Sequence, residues 1–225
     1  MHERNKENNM KHRLNNLKAI GFDLDNTLYQ QTPEIAELIT DYICNNVSDC
    51  LGMKYKVVRE VYQKATAELQ SARRALKLLG MPQEICRTLV QEALENANIA
   101  DALAKDERLC SMLSKMSNNY KLYLITSNSK DQTKKKLNAL GLEEGMFYPL
   151  LDSNVKYLRD DGEAFIYVSA ELNLSLRNMM FVGDREKVDI IPAAKLGMLT
   201  AIVNAKSELA HFELQAIHDL EKILE

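Results

Sequence analysis

An apolar run that ends in two carboxylates constrains this chain more than any other feature: Ile20-Gly21-Phe22-Asp23-Leu24-Asp25-Asn26-Thr27-Leu28-Tyr29. Side chains alternate along an extended strand. Asp23 and Asp25 therefore start on the same side, where the strand gives way to a loop. Open α/β sheets bind ligands at that carboxyl edge. Two like charges so close repel unless a cation or a shared proton relieves them. A purely structural turn has little reason to accept that cost. Asp and Asn do favour turns, and an Asp-x-Asp taken alone is most often only that. Here the apolar approach, the following Asn-Thr-Leu and the distal clusters below point to chemistry instead.

The hydrophobic period then divides the chain. Lys18 to Leu24 is expected to be a strand. From about Pro33 to Met116 every apolar pattern is helical: Ile35, Leu38, Ile39, Tyr42 and Ile43 recur at helical spacing. A second helix runs from Tyr55 to Leu79 and ends at Gly80, a third from Pro82 to about Asn96, and a fourth from Asp101 to Met116. After Asn119 the period changes. Strands are expected at Lys121–Thr126, Met146–Leu151, Asn178–Val182 and Leu199–Val203, with helices at Asp131–Leu140, Glu163–Leu172, Val188–Leu196 and Ser207–Leu224. Strands alternating with helices predict an α/β, doubly wound parallel sheet of Rossmann-like kind. The all-helical block is then an insertion. The expected organisation is a polar N-terminal tail over 1–16, a core over 17–30 and 118–225, and a helical cap over 31–117.

Composition excludes more than it identifies. A net charge of -3 gives no reason to propose a nucleic-acid or membrane partner, and no apolar run approaches the roughly 20 residues that span a bilayer. Residues 1–16 are polar, lack an apolar signal core and are expected to form a loose tail or a helical extension. Cys44, Cys50, Cys86 and Cys110 include no Cys-x-x-Cys pair, so neither zinc nor a dithiol motif is indicated. Free buried thiols fit a reducing cytoplasm. His2, His12, His211 and His218 lack metal-ligand spacing and are expected at the surface, His211 and His218 on one face of the C-terminal helix. Oligomeric state is not legible.

Three further clusters lie at predicted strand ends. Thr126-Ser127-Asn128 offers hydroxyls that can donate to a phosphate oxygen, although either hydroxyl could simply cap the next helix. Gly183-Asp184 ends an apolar strand, and Asp189 stands in the first turn of the next helix, where a carboxylate also suits the dipole. With Asp23 and Asp25 these make four carboxylates at one sheet edge, a set of hard oxygen ligands suited to Mg²⁺. Lys156 and Arg159 stand in a polar loop before the Glu163 helix, where either could neutralise phosphate charge.

Together these clusters resemble the haloacid dehalogenase-like (HAD) superfamily in its phosphatase branch. Asp23-Leu24-Asp25-Asn26-Thr27-Leu28 matches the first motif, Thr126-Ser127-Asn128 resembles the second, and Gly183-Asp184 with Asp189 resembles the fourth. The helical block looks like the family's C1 cap. The family places Asn straight after the Thr or Ser; here Thr126 fits the strand register and Ser127 the dipeptide. The third motif usually carries Lys-Pro-Asp-Pro. Counting back from Asp184 through Phe165 puts Arg159 in the basic slot, whereas lysine chemistry favours Lys156.

The resemblance implies a phosphoaspartyl mechanism on a small phosphorylated metabolite. Asp23 would be the nucleophile and Asp25 the acid and then the base. Mg²⁺ would sit among Asp23, the Asp25 main-chain carbonyl and Asp184, with Asp189 in support. Thr126 or Ser127, Asn128, and Lys156 or Arg159 would cradle the phosphoryl oxygens, while the cap closes over the site. Asp25 argues against dehalogenation, because a halide needs no proton. A sugar phosphomutase and a catalytically silent binding or regulatory protein are the alternatives.

Overall fold

The computed structural model describes residues 2–69, 71–153 and 162–224. It is an α/β fold built on a six-stranded parallel sheet of order β3-β2-β1-β4-β5-β6. The strands are β1 (Ala19–Phe22), β2 (Lys121–Ile125), β3 (Leu150–Leu151), β4 (Met179–Gly183), β5 (Leu199–Val203) and β6 (Phe212–Leu214). The helices are α1 (His2–Asn15), α2 (Pro33–Leu51), α3 (Tyr55–Leu69), α4 (Ala72–Leu78), α5 (Gln83–Asn96), α6 (Glu107–Ser117), α7 (Lys130–Leu140), α8 (Glu163–Leu172), α9 (Ile191–Lys195) and α10 (Leu220–Leu224). None of those described is long and apolar enough to cross a membrane.

β1 lies at the centre because its residues are apolar on both faces, as a doubly covered parallel strand requires. Phe22 is in register with Leu124 of β2 on one side and Val182 of β4 on the other. One face packs Tyr123, Phe181, Phe165 and Val168 into a core, with the Phe165 and Phe181 rings 4.9 Å apart, edge to face. Gly21 makes that core possible. A Cβ there would stand 2.0 Å from the Tyr123 ring, which crosses β1 so that its hydroxyl can donate to the Met180 carbonyl at 3.0 Å. A mid-strand glycine weakens a strand, and here the ring fills the space it leaves.

The chain divides into two compact units, Met1–Gln30 with Ala104–Glu225, and Gln31–Leu103. The second unit is helical, around Ile43, Val47, Val58, Tyr62, Leu76 and Leu89. The expected insertion ran to residue 117, but α6 belongs with the sheet. Its Leu109, Met112, Leu113 and Met116 are buried, it packs on β2, and the Asp106 N–H before it donates to the Leu140 carbonyl. Helical periodicity tells that a face is buried, not against what. The expected helix over Tyr55–Leu79 is two helices, α3 and α4.

The C-terminal segment departs further from expectation. In place of one helix over Ser207–Leu224, β6 extends the sheet by pairing with β5, and only Leu220–Leu224 is α-helical. Phe212-Glu213-Leu214 alternates with period two, which the surrounding helix-forming residues mask, and pairing at the sheet edge overrides propensity. His211 and His218 share no helix face and are not surface residues. His218 lies 3.1 Å from Asp106, and His211 is half-buried. Arg13 of α1 donates to His211 Nε2 at 2.7 Å and to the Gly197 carbonyl at 2.7 Å, so of the two expectations, a loose tail or a helical extension, His2–Asn15 forms the helical extension. Nδ1 accepts from the Thr200 N–H at 3.2 Å and lies 2.9 Å from Thr200 Oγ1, so both ring nitrogens are engaged. Cys44 and Cys86 are buried as expected, whereas Cys50 is exposed; all four thiols are free.

Burial, and then the Arg13 guanidinium, push the His211 imidazole pKa down. The folded state therefore favours the neutral ring. Its contribution is complete above the unfolded pKa of about 6.5 and is lost as pH falls toward the depressed folded value. Melting temperature should fall more between pH of about 7.5 and about 5.5 in the wild type than in His211→Gln. Equal falls would show that His211 does not couple protons to folding.

Candidate active site

Three strand ends meet at the carboxyl edge of the sheet. Asp23 follows β1 and its N–H donates to the Val182 carbonyl at 2.9 Å, which places it beside Gly183 at the end of β4. Asp184 comes next, and Asp189 lies in a wide helical turn over Glu186–Ile190. Asp23 and Asp189 are almost fully buried, Asp184 partly. Carboxylate oxygens of these residues all lie within 4.8 Å of one another. Asp189 can approach so closely because residue 183 is glycine: a Cβ there would stand 2.5 Å from the Asp189 carboxyl group. The Arg185 N–H then fixes Asp189 with a 2.9 Å hydrogen bond.

Such crowding is expensive. At that separation each ionised pair repels by about 3 kcal/mol at an effective dielectric of about 20, so three pairs approach the whole stability of a domain. The Arg185 side chain, half exposed, offsets only part of this from 3.8 Å to Asp23 and 3.8 Å to Asp184. Burial and the Asp189 charge raise the Asp184 pKa. Asp184 Oδ1 is buried with no hydrogen-bond partner among the described residues. An orphaned carboxylate oxygen inside a cluster of hard oxygen donors fits a divalent cation such as Mg²⁺.

The Asp25 carboxylate is not in this cluster. It belongs to a second charged network at the end of β2. Lys136 Nζ donates to Asp25 Oδ1 at 2.7 Å and to Asn128 Oδ1 at 2.7 Å. Asn128 Nδ2 donates to Asp25 Oδ2 at 2.5 Å, and the Tyr29 hydroxyl donates to Asp25 Oδ1. Burial pushes the Asp25 pKa up, but Lys136, Tyr29 and Asn128 outweigh it and leave it below the usual carboxylate range. Thr126 Oγ1 is buried and accepts from both the Asn128 N–H, at 3.2 Å, and Asn128 Nδ2, at 2.8 Å, so its own proton remains to be donated. Ser127 is half-buried.

Residues 17–197 match the family profile described as haloacid dehalogenase-like hydrolase. The chain belongs to that family. Among solved structures, a HAD phosphatase from Thermococcus onnurineus superposes with a TM-score of 0.64 at 22% identity, over 92% of this chain and 98% of that one. The Bacillus subtilis protein YfnB, bound to magnesium, gives 0.61 at 16% over 92% and 98%. A 2-haloacid dehalogenase from Pseudomonas syringae pv. Tomato DC3000 gives 0.57 at 20% over 92% and 98%. At these identities the likeness is one of fold. No curated protein sequence matches the chain.

In this HAD-like hydrolase the motif residues Asp23, Asp184 and Asp189 come together, as do Asp25, Thr126 and Asn128. Lys156 and Arg159 lie outside the described residues. A buried cation that the structure brings to Asp25, Lys136, was missed from the sequence. Its signal was there: Thr133, Lys136, Leu137 and Leu140 form the buried face of α7 at helical spacing, and a lysine in an apolar stripe needs a partner. A groove of about 620 Å³ lined by Lys18, Ser117, Tyr120 and Lys121 lies at the opposite edge, where β1 and β2 begin, and holds no comparable set of groups.

The packing of Asp189 over Gly183 gives a direct test. Gly183→Ala should displace Asp189 and weaken the affinity of the acidic cluster for a divalent cation by about tenfold or more, the scale of losing support for a ligand. Calorimetric titration with Mg²⁺ measures it; unchanged affinity would mean that Asp189 contributes nothing to metal binding.

Proposed function

We propose that this hydrolase is a Mg²⁺-dependent phosphatase that cleaves a small phosphomonoester through a phosphoaspartate on Asp23. The observation that carries this reading is Asp25: a second carboxylate two residues after Asp23, kept out of the acidic cluster and held by Lys136, Asn128 and Tyr29. An alkoxide leaving group needs a proton and a halide does not, so this residue favours a phosphatase over a dehalogenase.

Asp23 attacks phosphorus, the P–O bond to the leaving group breaks, and Asp25 gives its proton to the departing oxygen. Asp25 then takes a proton from water. That water attacks the acyl phosphate, freeing Asp23 and inorganic phosphate. The Lys136 ammonium holds Asp25 in its charged form, the form that serves as base. A phosphate dianion that draws this ammonium toward itself would allow the same carboxylate to gain the proton it donates first. Asp23, Asp184 and Asp189, with the Asp25 main-chain carbonyl, are the residues that would hold Mg²⁺, and the ion would supply positive charge beside the transferring group. Asn128 and the hydroxyls of Thr126 and Ser127 supply donors for the phosphoryl oxygens. Positioning and charge neutralisation of this kind provide most of the catalysis in phosphoryl transfer.

Asp23→Asn should reduce Mg²⁺-dependent hydrolysis of an aryl phosphate by several orders of magnitude, on the order of loss of a covalent route, while the protein still folds. Near-normal turnover would remove Asp23 as nucleophile.

Lys136 is the cation this reading assigns to the site, ahead of Lys156 and Arg159. Lys136→Met keeps the side-chain volume and should lower kcat/KM by about 10²-fold, in line with loss of one preorganised charge. Lys156→Ala and Arg159→Ala should each cost less. A larger loss in either of those variants would hand the role to that residue.

A further inference from the structure

We propose that Tyr29 is a positioning residue for Asp25, occupying Oδ1 together with Lys136 so that Oδ2 is the oxygen left to carry the transferred proton. The inference rests on the phosphatase reading. It concerns the orientation of the carboxylate, and it begins from a count of donors. An ionised carboxylate offers about four lone-pair sites, two on each oxygen. Among the described residues, Oδ1 receives Tyr29 Oη and Lys136 Nζ, and Oδ2 receives Asn128 Nδ2. One site remains, and it is on Oδ2. The Asp25 side chain keeps 23% of its surface exposed, so that site need not be sealed.

The loop geometry brings Tyr29 to this position. Asn26 takes the left-handed conformation at φ 58, which Asn tolerates better than most residues. The N–H groups of Thr27 and Leu28 then both donate to the Leu24 carbonyl, and Leu24 and Leu28 are buried in the core. That tight turn folds Tyr29 back onto Asp25, with which it forms an isolated bridge. Beyond it, Gln30 Nε2 donates to the Asn26 carbonyl at 3.3 Å, and Gln30 Oε1 accepts from Asn204 Nδ2 at 3.0 Å. The other two donors are fixed independently of Asp25, since Lys136 and Asn128 bond to each other and Asn128 bonds to Thr126. The Tyr29 hydroxyl has Asp25 as its hydrogen-bond partner and no other among the described residues.

Tyr29→Phe retains the ring and removes the donor, which opens a second acceptor site on Oδ1. The loss should then depend on how much the reaction needs a directed proton. Phenyl phosphate has a poor leaving group and p-nitrophenyl phosphate a good one, at nearly the same size. With saturating Mg²⁺, single-turnover release of phenol should fall about tenfold or more in Tyr29→Phe, part of the 10²–10⁴-fold that general acid catalysis supplies. Single-turnover release of p-nitrophenol should change by less than about threefold, and with substrate in excess it should now show a burst, because Asp25 must still act as base on the phosphoaspartate. A melting temperature close to wild type shows that the variant is folded. Equal losses on both substrates, or no loss on either, overturn the inference while leaving the phosphatase reading standing. A wild type inactive on both substrates overturns that reading and this inference with it.

Discussion

Like-charge repulsion at the end of β1 and β4 is the constraint around which the site is arranged. Asp23, Asp184 and Asp189 are brought within 4.8 Å by backbone that cannot yield. β1 is clamped between β2 and β4 along its whole length, and Gly183 has no side chain to keep Asp189 away. Arg185 answers part of the charge from the surface side. The raised Asp184 pKa and the orphaned Oδ1 are the remainder, and both describe a place where a hard cation lowers the energy of the folded chain.

The same edge carries a second, oppositely biased system. Asp25 is two residues from Asp23 but sits with an ammonium, an amide and a phenol instead of with other carboxylates. One carboxylate's pKa is pushed up and another's down within a single site. Such separation is the usual physical signature of a division of roles between acids, bases and ligands. It also explains why a buried lysine is tolerated at position 136. Its side chain is fully buried, and breaking a buried pair by removing one partner leaves an uncompensated charge that costs several kcal/mol, on the order of 3–5.

How much was legible follows from the range over which each signal acts. Apolar runs ending in Asp23, Thr126 and Asp184 predicted strands whose tips converge, and the register of Phe22 with Leu124 and Val182 places them side by side. The helix at Glu163–Leu172 was legible to the residue, since its pattern is strong and nothing competes with it. β6 was not, because three residues of alternation cannot outweigh their helix-forming neighbours until β5 offers an edge to pair with. α6 carried a correct helical pattern but an incorrect allegiance. Counting along the chain points to Lys156 or Arg159, both outside the described residues, whereas Lys136 comes to Asp25 across a separation that no local count reveals.

The sequence by itself determined which residues could do chemistry, because residue type and strand-end position are local properties: Asp23, Asp25, Asp184 and Asp189, with Thr126, Ser127 and Asn128. It also determined the alternation that makes the sheet parallel. Only the tertiary structure decided how those groups divide into an acidic cluster and an Asp25–Lys136–Asn128–Tyr29 network, and it alone enlisted Lys136 and Tyr29. The physical reason is that burial, pairing and repulsion depend on distances across strands and helices, which fall off within a few ångströms and are set only when the sheet has closed around β1.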